Sequence, residues 1–468
     1  MERQIHRVGV FFLLSFVVLS AAAGYWQVWR GPALATAPGN PRVLEAERRA
    51  LRGPIVDRTG QALVTSESGQ RAATTPVVAH ATGYFSYRYG RTGIERARHG
   101  ILSGLDGVPP FAGLLRDVSG APRRGGSVQL TIDRQLQAVA DRALGDGRGA
   151  VVLIDIRTGA VLVALSKPYF DTARVDQLWP SLSQDEARPL YNRASQGLYV
   201  PGSTFKLVTA AAALDTGLLQ PSTMVSDPTG ETVIDGFRIT DAERPPRPTF
   251  DFAHALAWSS NVVFAQVGVQ LGEERLRDYA GRFGMGRQLP FELETSPTSI
   301  SRTASSPTAP MSRILLASTA FGQGELLMSP LQMALVGAAI ARDGDVPQPY
   351  VVDQVRGPTG AVLVRTQPGT LGRAISPRTA GQLREMMALA VEEGFSRAAA
   401  VPGVRIGGKT GTAQSVPGLP DHSWFVGIAP VERPRLAIAV LKEFGGWGSE
   451  EAAPAARQVL EQALQTVP

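Results

Sequence analysis

Lysine is scarce in this sequence, and two of its lysines lie in short motifs with the residue types of acyl-transfer chemistry. The 468 residues contain 47 Lys and Arg together. Only four of these are lysines: Lys167, Lys206, Lys409 and Lys442. Arginine keeps its proton at physiological pH, so a side-chain amine that acts as a base must be one of these four.

Ser203 and Lys206 are the first candidates, as a nucleophile and its base. They are three residues apart at the predicted start of a helix, so their side chains would share one face. A serine hydroxyl needs an adjacent base, and lysine serves only where burial or nearby charge lowers its pKa. The apolar run Leu207–Ala212 would bury this helix. By itself, S-x-x-K is more often a capping serine with a surface lysine.

Lys409 begins a second motif, K-T-G. We expect Lys409-Thr410-Gly411 to form an edge strand that lines a cleft, with Lys409 adding positive potential near the nucleophile. The hydroxyls of Thr410 and Thr412 could bind a substrate carboxylate. Gly411 would let a substrate backbone approach closely, since it has no side chain.

The same lysine also completes the phosphate-loop pattern G-x-x-x-x-G-K-[ST], from Gly403 to Thr410. That loop should follow a strand and open a helix. Here Gly411 and Pro417 come where the helix would begin, and Pro402 interrupts the approach. We therefore reject a nucleotide site.

Between the two lysine motifs lies an S-x-N motif, Ser259 to Asn261. Ser259 could relay a proton between Lys206, Lys409 and a leaving group, and Asn261 could hold a substrate amide. Alone, this would be an ordinary polar cluster at a helix end. The order S-x-x-K, S-x-N, K-T-G, with two of only four lysines in it, predicts a serine acyl-transfer site.

The N-terminal segment predicts a membrane anchor. The 22 residues from Val8 to Trp29 carry no charge, and a helix of that length spans about 33 Å, enough for a bilayer core of about 30 Å. Basic Arg3 and Arg7 precede it, which puts the N-terminus in the cytoplasm and the rest outside. A cleaved signal peptide is the alternative, because Ala21-Ala22-Ala23 fits a cleavage site.

Composition excludes several classes of function. The net charge of +6 points to anionic partners, but the arginines are spread along the chain without stacking aromatics, which excludes nucleic acid. There is no cysteine, so disulfides and thiolate metal sites are excluded. The five histidines form no HExxH motif. We predict neither a metal nor a cofactor.

The pattern of apolar runs predicts an α+β fold, with one antiparallel sheet built from distant segments. Its strands are predicted at Ala150–Asp155, Ala160–Leu165, Trp424–Ala429 and Leu436–Leu441. Helices are predicted at Thr204–Leu214, Phe252–Val269, Pro330–Arg342, Pro377–Glu393 and Glu450–Leu464.

With these motifs together, the sequence resembles the serine penicillin-recognising enzymes, and among them the class B penicillin-binding proteins. Arg52–Gly60 is similar to the family's R-G-x-I-x-D-R-x-G signature, and Phe321–Gly324 to another of its segments. Thr82–Tyr84 and Tyr89–Glu95 resemble the PbpA-type subgroup. The signature residues Arg52, Asp57 and Arg58 are interpreted as an ion-paired hairpin joining two domains.

The resemblance implies a transpeptidase fold, an antiparallel sheet with helices plus an all-helical lobe, after a β-rich pedestal and one transmembrane helix. The predicted domains are a cytoplasmic tail (1–7), a transmembrane anchor (8–29), a pedestal or dimerisation-like domain (30–129) and the transpeptidase domain (130–468). The catalytic domain would lie on the outer face of the cell membrane.

The implied activity is a D,D-transpeptidase that cross-links peptidoglycan. Lys206 would activate Ser203 to attack the penultimate D-Ala of a stem peptide, and the backbone N–H groups of Ser203 and Thr412 would form the oxyanion hole. D-Ala would leave with a proton relayed by Ser259, and an amine from a neighbouring stem peptide would resolve the acyl-enzyme. β-Lactams would acylate Ser203. The implied partner is a SEDS-type glycosyltransferase in the membrane.

Two alternatives remain open. A D,D-carboxypeptidase or β-lactamase could use the same scaffold, although Ser259-Ser260-Asn261 differs from the S-D-N of class A β-lactamases. A non-enzymatic β-lactam sensor is the other, although it would need a longer cytoplasmic segment than the seven residues before Val8.

Overall fold

The computed structural model describes residues 2–30, 45, 47–67, 70–107, 121–243, 246–300, 310–414 and 418–467. Within these ranges the centre of the fold is a five-stranded antiparallel sheet. Its spatial order is Gly407–Ala413, His422–Ala429, Leu436–Lys442, Gly149–Asp155 and Ala160–Lys167. The sheet joins strands almost 300 residues apart in sequence, which confirms the predicted α+β fold. Gly407–Ala413 lies at one edge, as predicted for the K-T-G segment.

Both faces of this central sheet are covered by helices, which explains why its strands are apolar at nearly every position. Alternate residues of one strand point into different cores: Val151 and Leu153 into one, Val152 and Ile154 into the other. The first core is completed by the helices Arg134–Leu144 and Ala452–Thr466. The second is completed by Lys206–Asp215, Pro330–Ala341 and Pro377–Glu392.

The predicted single helix Phe252–Val269 is wrong, because the chain forms two helices there. They are Phe252–Ala257 and Asn261–Leu271. Between them Ser259 has a φ of 59°, a conformation that cannot continue a right-handed helix. Ser260 then caps the second helix, its side chain accepting a hydrogen bond from the Val263 N–H. The break brings Ser259 and Asn261 to the surface of the helical lobe that faces the central sheet.

Further helices and two-stranded ladders have the following bounds. The helices are Val175–Gln184, Glu273–Arg282 and Arg313–Ala320. Short 3₁₀ helices are Pro76–Val78, Thr172–Arg174, Gly202–Phe205 and Arg397–Ala399. Two-stranded ladders are Glu231–Ile234 with Phe237–Thr240, Met224–Ser226 with Thr249–Asp251, and Asp345–Pro347 with Thr370–Arg373. We call the first of these ladders the cleft hairpin.

A second, six-stranded sheet builds the pedestal. Its order is Val362–Arg365, Val352–Arg356, Ser127–Leu130, Ile55–Val56, Ala62–Glu67 and Gln70–Ala73. Short elements beside it are the helices Ala79–Thr82, Gly93–Ala97 and His99–Leu102 and the paired strands Phe85–Ser86 and Gly90–Arg91. Two strands come from after residue 350, so this sheet ties the pedestal to the chain that follows the helix Pro330–Ala341.

The N-terminal helix is Glu2–Gly24, extended by a π-helical turn, Tyr25–Trp29. Among the described residues, one helix, Arg3–Trp29, is long and apolar enough to cross a membrane. Its apolar side chains are exposed, Phe16 by 73% for example. A surface of that kind is stable against lipid and unfavourable in water.

Candidate active site

Ser203 lies in a 3₁₀ turn, Gly202–Phe205, that leads directly into the helix Lys206–Asp215. The turn is held by the Thr204 hydroxyl, which donates to Pro201 O at 2.7 Å, and by Phe205, which is fully buried. Lys206 is thereby the first residue of the α-helix and is fully buried. Its Nζ lies 3.0 Å from Ser203 Oγ, so the structure brings the predicted nucleophile and base together.

The environment of Lys206 favours a neutral amine. Its Nζ donates to Ser259 O at 2.6 Å and to Asn261 Oδ1 at 2.8 Å. These two carbonyl oxygens can only accept, and a neutral amine has two hydrogens for them and a lone pair within reach of the Ser203 and Ser259 hydroxyls. Burial, and then the charge of nearby Lys409, hold the pKa of Lys206 well below its ordinary value.

Ser259 connects the two lysines. Its Oγ lies 3.1 Å from Lys206 Nζ and 2.9 Å from Lys409 Nζ. Lys409 is 1% exposed and also donates to Thr410 O at 3.0 Å. Burial lowers the pKa of Lys409 to about 7. The hydroxyl of Ser259 therefore touches two amines whose pKa values are both lowered by burial.

Asn261 makes its contacts within the protein. Its Oδ1 accepts from Lys206, and its Nδ2 donates to Thr240 O at 2.9 Å. Asn261 also lines the cleft. In this structure its amide orients Lys206, which is a different contact from the predicted one with a substrate amide.

The strand Gly407–Ala413 forms one wall of the cleft beside Ser203. A Cβ on Gly411 would lie 2.8 Å from Pro201 O, so the close approach that requires glycine here is to the protein's own nucleophile turn. A Cβ on Gly202 would likewise lie 2.7 Å from Thr412 O. The Ser203 turn and the strand at Thr412, the two predicted sources of oxyanion-hole N–H groups, are thus packed against each other.

The cleft itself has a volume of about 260 Å³. Six predicted site residues line it: Ser203, Ser259, Asn261, Thr410, Gly411 and Thr412. Lys206 and Lys409 lie beneath this lining and reach it through their amines. This is the layout that general-base catalysis needs, since the bases are desolvated while the nucleophile is open to a substrate.

Sequence reasoning missed several residues that line the cleft. Thr240 and Asp241, at the exit of the cleft hairpin, line the cleft, as do Gln323 and Trp447. The hairpin has a signal in the sequence: an Asp-Gly pair at residues 235–236 between two apolar-polar alternating runs. Nothing in that signal says which end of the hairpin reaches the nucleophile.

The pedestal signature forms ion pairs, but largely with residues outside its hairpin. Arg52 pairs with buried Glu95 at 2.5 Å, and Arg58 with Asp133 at 3.4 Å. Asp57 instead holds the turn, its Oδ1 accepting from the N–H of Thr59 at 2.8 Å. Arg58–Asp133 links the hairpin to the cap of the helix Arg134–Leu144, in line with the predicted joining role.

The two remaining lysines are engaged in ion pairs away from the cleft. Lys167 pairs with Asp141 at 2.8 Å, and Lys442 pairs with Glu451. Among the described residues, no group of three or more His, Cys, Asp or Glu side chains is arranged to hold a metal ion.

Two family models match the chain. Residues 149–461 match the penicillin binding protein transpeptidase domain, and residues 52–128 match the penicillin binding protein A dimerisation domain. The first match covers more than half of the chain. The chain therefore belongs to the penicillin-binding protein transpeptidase family, and it has the fold predicted from its motifs.

Named relatives agree over the full length. The peptidoglycan D,D-transpeptidase PbpA of Mycolicibacterium smegmatis is 35% identical, covering 99% of each chain. PbpA of Mycobacterium tuberculosis is 33% identical, covering 100% of each. The solved structure of penicillin-binding protein A from M. tuberculosis as a ceftriaxone acyl-enzyme complex aligns with a TM-score of 0.83 and 33% identity, over 90% of this chain and 100% of that one.

Proposed function

We propose that this chain is a peptidoglycan D,D-transpeptidase that forms peptide cross-links through an acyl-enzyme on Ser203 and is acylated by β-lactams. The observation that carries the proposal is the 3.0 Å contact between Ser203 Oγ and the fully buried amine of Lys206. The names of the full-length relatives and the acyl-enzyme state of the aligned structure support it.

The chemistry follows from the geometry in two half-reactions. Neutral Lys206 takes the proton of Ser203 as its Oγ attacks the penultimate D-Ala carbonyl, with the backbone N–H groups of Ser203 and Thr412 facing the developing oxyanion. Ser259, in contact with both lysines, passes a proton to the departing D-Ala amine. The amine of a neighbouring stem peptide then attacks the ester carbonyl and gives a proton to Lys206, which passes it to Ser203 Oγ as the ester C–O bond breaks.

The hydroxyls of Thr410 and Thr412 and the charge of Lys409 are the proposed binding groups for the terminal carboxylate of a stem peptide. They lie on one strand beside Ser203. A β-lactam carries a carboxylate at a comparable place, so the same groups would orient it for attack by Ser203.

The acylation proposal is tested by labelling the membrane fraction with a fluorescent penicillin. We expect the wild type to be labelled and Ser203→Ala to be unlabelled. The matched control is Ser181→Ala, on the exposed side of the helix Val175–Gln184, which should label as the wild type does. Undiminished labelling of Ser203→Ala would reject the serine acyl-enzyme. Rapid spontaneous release of the label would favour a β-lactamase over a transpeptidase.

The helix Arg3–Trp29 is proposed to anchor the enzyme in the cell membrane once, with the catalytic domain on the outer face. Basic residues before the apolar segment support this orientation. The chain has no cysteine, so Gln4→Cys and Ser181→Cys give single reporters. A membrane-impermeant thiol reagent added to right-side-out vesicles should label Ser181→Cys alone, and labelling of Gln4→Cys alone would reverse the topology.

A SEDS-type glycosyltransferase in the same membrane is the proposed partner, because a transpeptidase needs newly made glycan strands to cross-link. Co-purification of such a protein from cross-linked membranes, lost when the segment 1–29 is exchanged for an unrelated anchor, would support this. If the glycosyltransferase still co-purifies after the exchange, the contact is made by the pedestal.

A further inference from the structure

Two carboxyl groups lie next to the residues that hold Lys206. Asp227 follows the strand Met224–Ser226 and is 1% exposed. Asp241 follows the cleft hairpin. The hydroxyl of Ser260 lies between them, 3.2 Å from Asp227 Oδ2 and 3.4 Å from Asp241 Oδ1. Both carboxyls therefore meet at the start of the helix that begins with Asn261.

Asp241 and the residue before it hold Asn261 from two sides. Asp241 Oδ1 accepts the backbone N–H of Asn261 and, at 2.9 Å, that of Val262. Thr240 O accepts the side-chain Nδ2 of Asn261 at 2.9 Å. Because the Nδ2 end of the amide is held, its Oδ1 faces Lys206 Nζ. The orientation of the base thus depends on the exit of the cleft hairpin.

The contacts of the second carboxyl oxygen of Asp241 indicate that it shares a proton with Asp227. Among the described residues, the buried Oδ2 of Asp241 has no donor, and neither Asp241 nor Asp227 has an ion-pair partner. The two carboxyl groups adjoin each other at the Ser260 hydroxyl, which contacts both. Two adjoining carboxylates cannot both be charged at low cost, but one that keeps its proton can donate it to the other.

We propose that Asp227 and Asp241 share one proton, and that Asp241 is a positioning residue which holds Asn261 against Lys206 without placing a full negative charge beside the amine. The inference rests on the proposed function, since Lys206 matters as the base that activates Ser203. Asp227 and Asp241 would then support the site from outside the three motifs.

The electrostatics agree with this arrangement. Burial, reinforced by the hydrogen bond to Asp227, raises the pKa of Asp241 to about 7, while Lys206 and the Val262 backbone act in the opposite direction. Among the described residues, Lys206 is the cation that acts on Asp241 from another element, and Lys409 in turn acts on Lys206. An ionised Asp241 would raise the pKa of Lys206, so a proton on Asp241 keeps the base neutral.

Replacing each carboxyl in turn should therefore have different effects. In Asp227→Asn, Asp241 loses its carboxyl neighbour and ionises, so Lys206 is protonated more often and acylation slows. In Asp241→Asn, the new amide imitates the protonated acid: its Oδ1 still accepts from Asn261 and Val262, and its Nδ2 donates to Asp227.

The experiment measures the rate of acylation of the full chain in detergent by a fluorescent penicillin from pH 5.5 to 9. On the acid side of the profile, Asp227→Asn should be about threefold or more slower than the wild type, and its rate should recover as the pH rises, since a shift of half a pKa unit changes the neutral fraction about threefold. The acylation rate of Asp241→Asn should stay within about twofold of the wild-type rate. That of Asp241→Ala should be about tenfold lower at every pH.

The matched control is Asp235→Asn, at the exposed tip of the same hairpin, which should follow the wild-type profile. Thermal melting of each variant separates misfolding from a chemical effect. A profile of Asp227→Asn that superimposes on the wild type, or that moves to lower pH, would overturn the shared proton. Wild-type rates in Asp241→Ala would overturn the positioning role.

An infrared measurement separates failure of this inference from failure of the proposed function. The difference spectrum between the wild type and Asp241→Asn at pH 6 should contain the C=O band of a protonated carboxyl group, whether or not the chain reacts with penicillin. Absence of that band rejects the shared proton. If the band is present in a chain that no penicillin labels, the shared proton is supported and the acyl-enzyme on Ser203 is rejected.

Discussion

At the scale of single residues, the account depends on the protonation state of Lys206. A buried ammonium is unfavourable, and here the cost is increased by Lys409, whose Nζ shares the Ser259 hydroxyl with Lys206. Two carbonyl oxygens meet the remaining hydrogens of the neutral amine. A neutral Lys206 therefore has a lone pair within reach of Ser203.

Lys206→Arg tests this requirement directly. A guanidinium cannot give up its proton at neutral pH, so we expect the acylation rate to fall by about 10²–10⁴-fold although the charge is retained. Lys167→Arg, in an ion pair with Asp141 far from the cleft, is the matched control and should acylate normally. Stopped-flow measurement of the acylation rate checks both. A wild-type rate in Lys206→Arg would remove lysine from the mechanism.

The same lysines set the pH dependence. Burial lowers the pKa of Lys409 to about 7 and holds that of Lys206 well below its ordinary value. The reactive form of the base Lys206 is the neutral amine, so its protonation on lowering the pH must slow acylation, and raising the pH must restore it. Rates measured between pH 5 and 8 check this, and a flat profile would show that neither lysine titrates in that range.

At the scale of elements, the site is made by turns that bring helices and a strand edge together. Gly322 is one such point: its φ is +95°, and a Cβ there would lie 1.7 Å from Gly202 O, in the turn that carries Ser203. An alanine at this position would therefore have a strained backbone and a Cβ that clashes with Gly202 O. Movement of a side chain cannot relieve the clash, because the obstructing atom belongs to the backbone.

Gly322→Ala should therefore displace the nucleophile. We expect a lower melting temperature and an acylation rate reduced by about tenfold or more, since a shift of about 1 Å at a reacting atom has effects of that order. Gly360→Ala is the matched control: its φ is +85°, but nothing lies within 4 Å of the added Cβ. It should lose about 1 kcal/mol of stability from backbone strain and keep its acylation rate. Equal rates in both variants would contradict the packing argument.

Much of the element pattern was predictable, and the exceptions have physical causes. Continuous apolar runs identified the four long strands of the central sheet because both of its faces are buried. The helix predicted at Phe252–Val269 failed because its apolar residues keep helical spacing through the break at Ser259. That break depends on tertiary contacts, above all those of Lys206 and Asp241, which single-sequence periodicity does not contain.

The candidate site was predictable to a similar extent. The order of the motifs was enough to predict one shared site, because each motif has a chemical reason for its residue types. The residues of that site are Ser203, Lys206, Ser259, Asn261 and Lys409. Asp241 and Asp227 were missed, since isolated aspartates next to hairpins and turns are common and their pairing appears only when the chain is folded.

At the scale of the whole molecule, a buried ion triad stabilises the pedestal. Glu95, with a side chain 1% exposed, pairs with Arg52 at 2.5 Å and Arg71 at 2.6 Å. Arg52 belongs to the family-type signature, and Glu95 to the helix Gly93–Ala97. The triad lies among the pedestal elements and does not line the cleft, so its role concerns folding and not acyl transfer.

Glu95→Gln should leave two buried guanidinium groups without their shared counter-ion. We expect a loss of about 3 kcal/mol or more of unfolding free energy, while the acylation rate of the folded protein at low temperature is unchanged. Asp278→Asn, which breaks an exposed pair with Arg282, should cost less than about 1 kcal/mol. Denaturant unfolding checks both values. A slower acylation in folded Glu95→Gln would show that the pedestal acts on the cleft.

The central claim is that Ser203 is the acylated nucleophile, and peptide mapping after reaction with penicillin G tests it most directly. Tryptic cleavage after Arg193 and Lys206 isolates residues 194–206, which contain Ser203. The account predicts one adduct per chain, with the full mass of the antibiotic, on Ser203 in this peptide. An adduct on any other residue, or an unmodified peptide from fully inactivated protein, would contradict it.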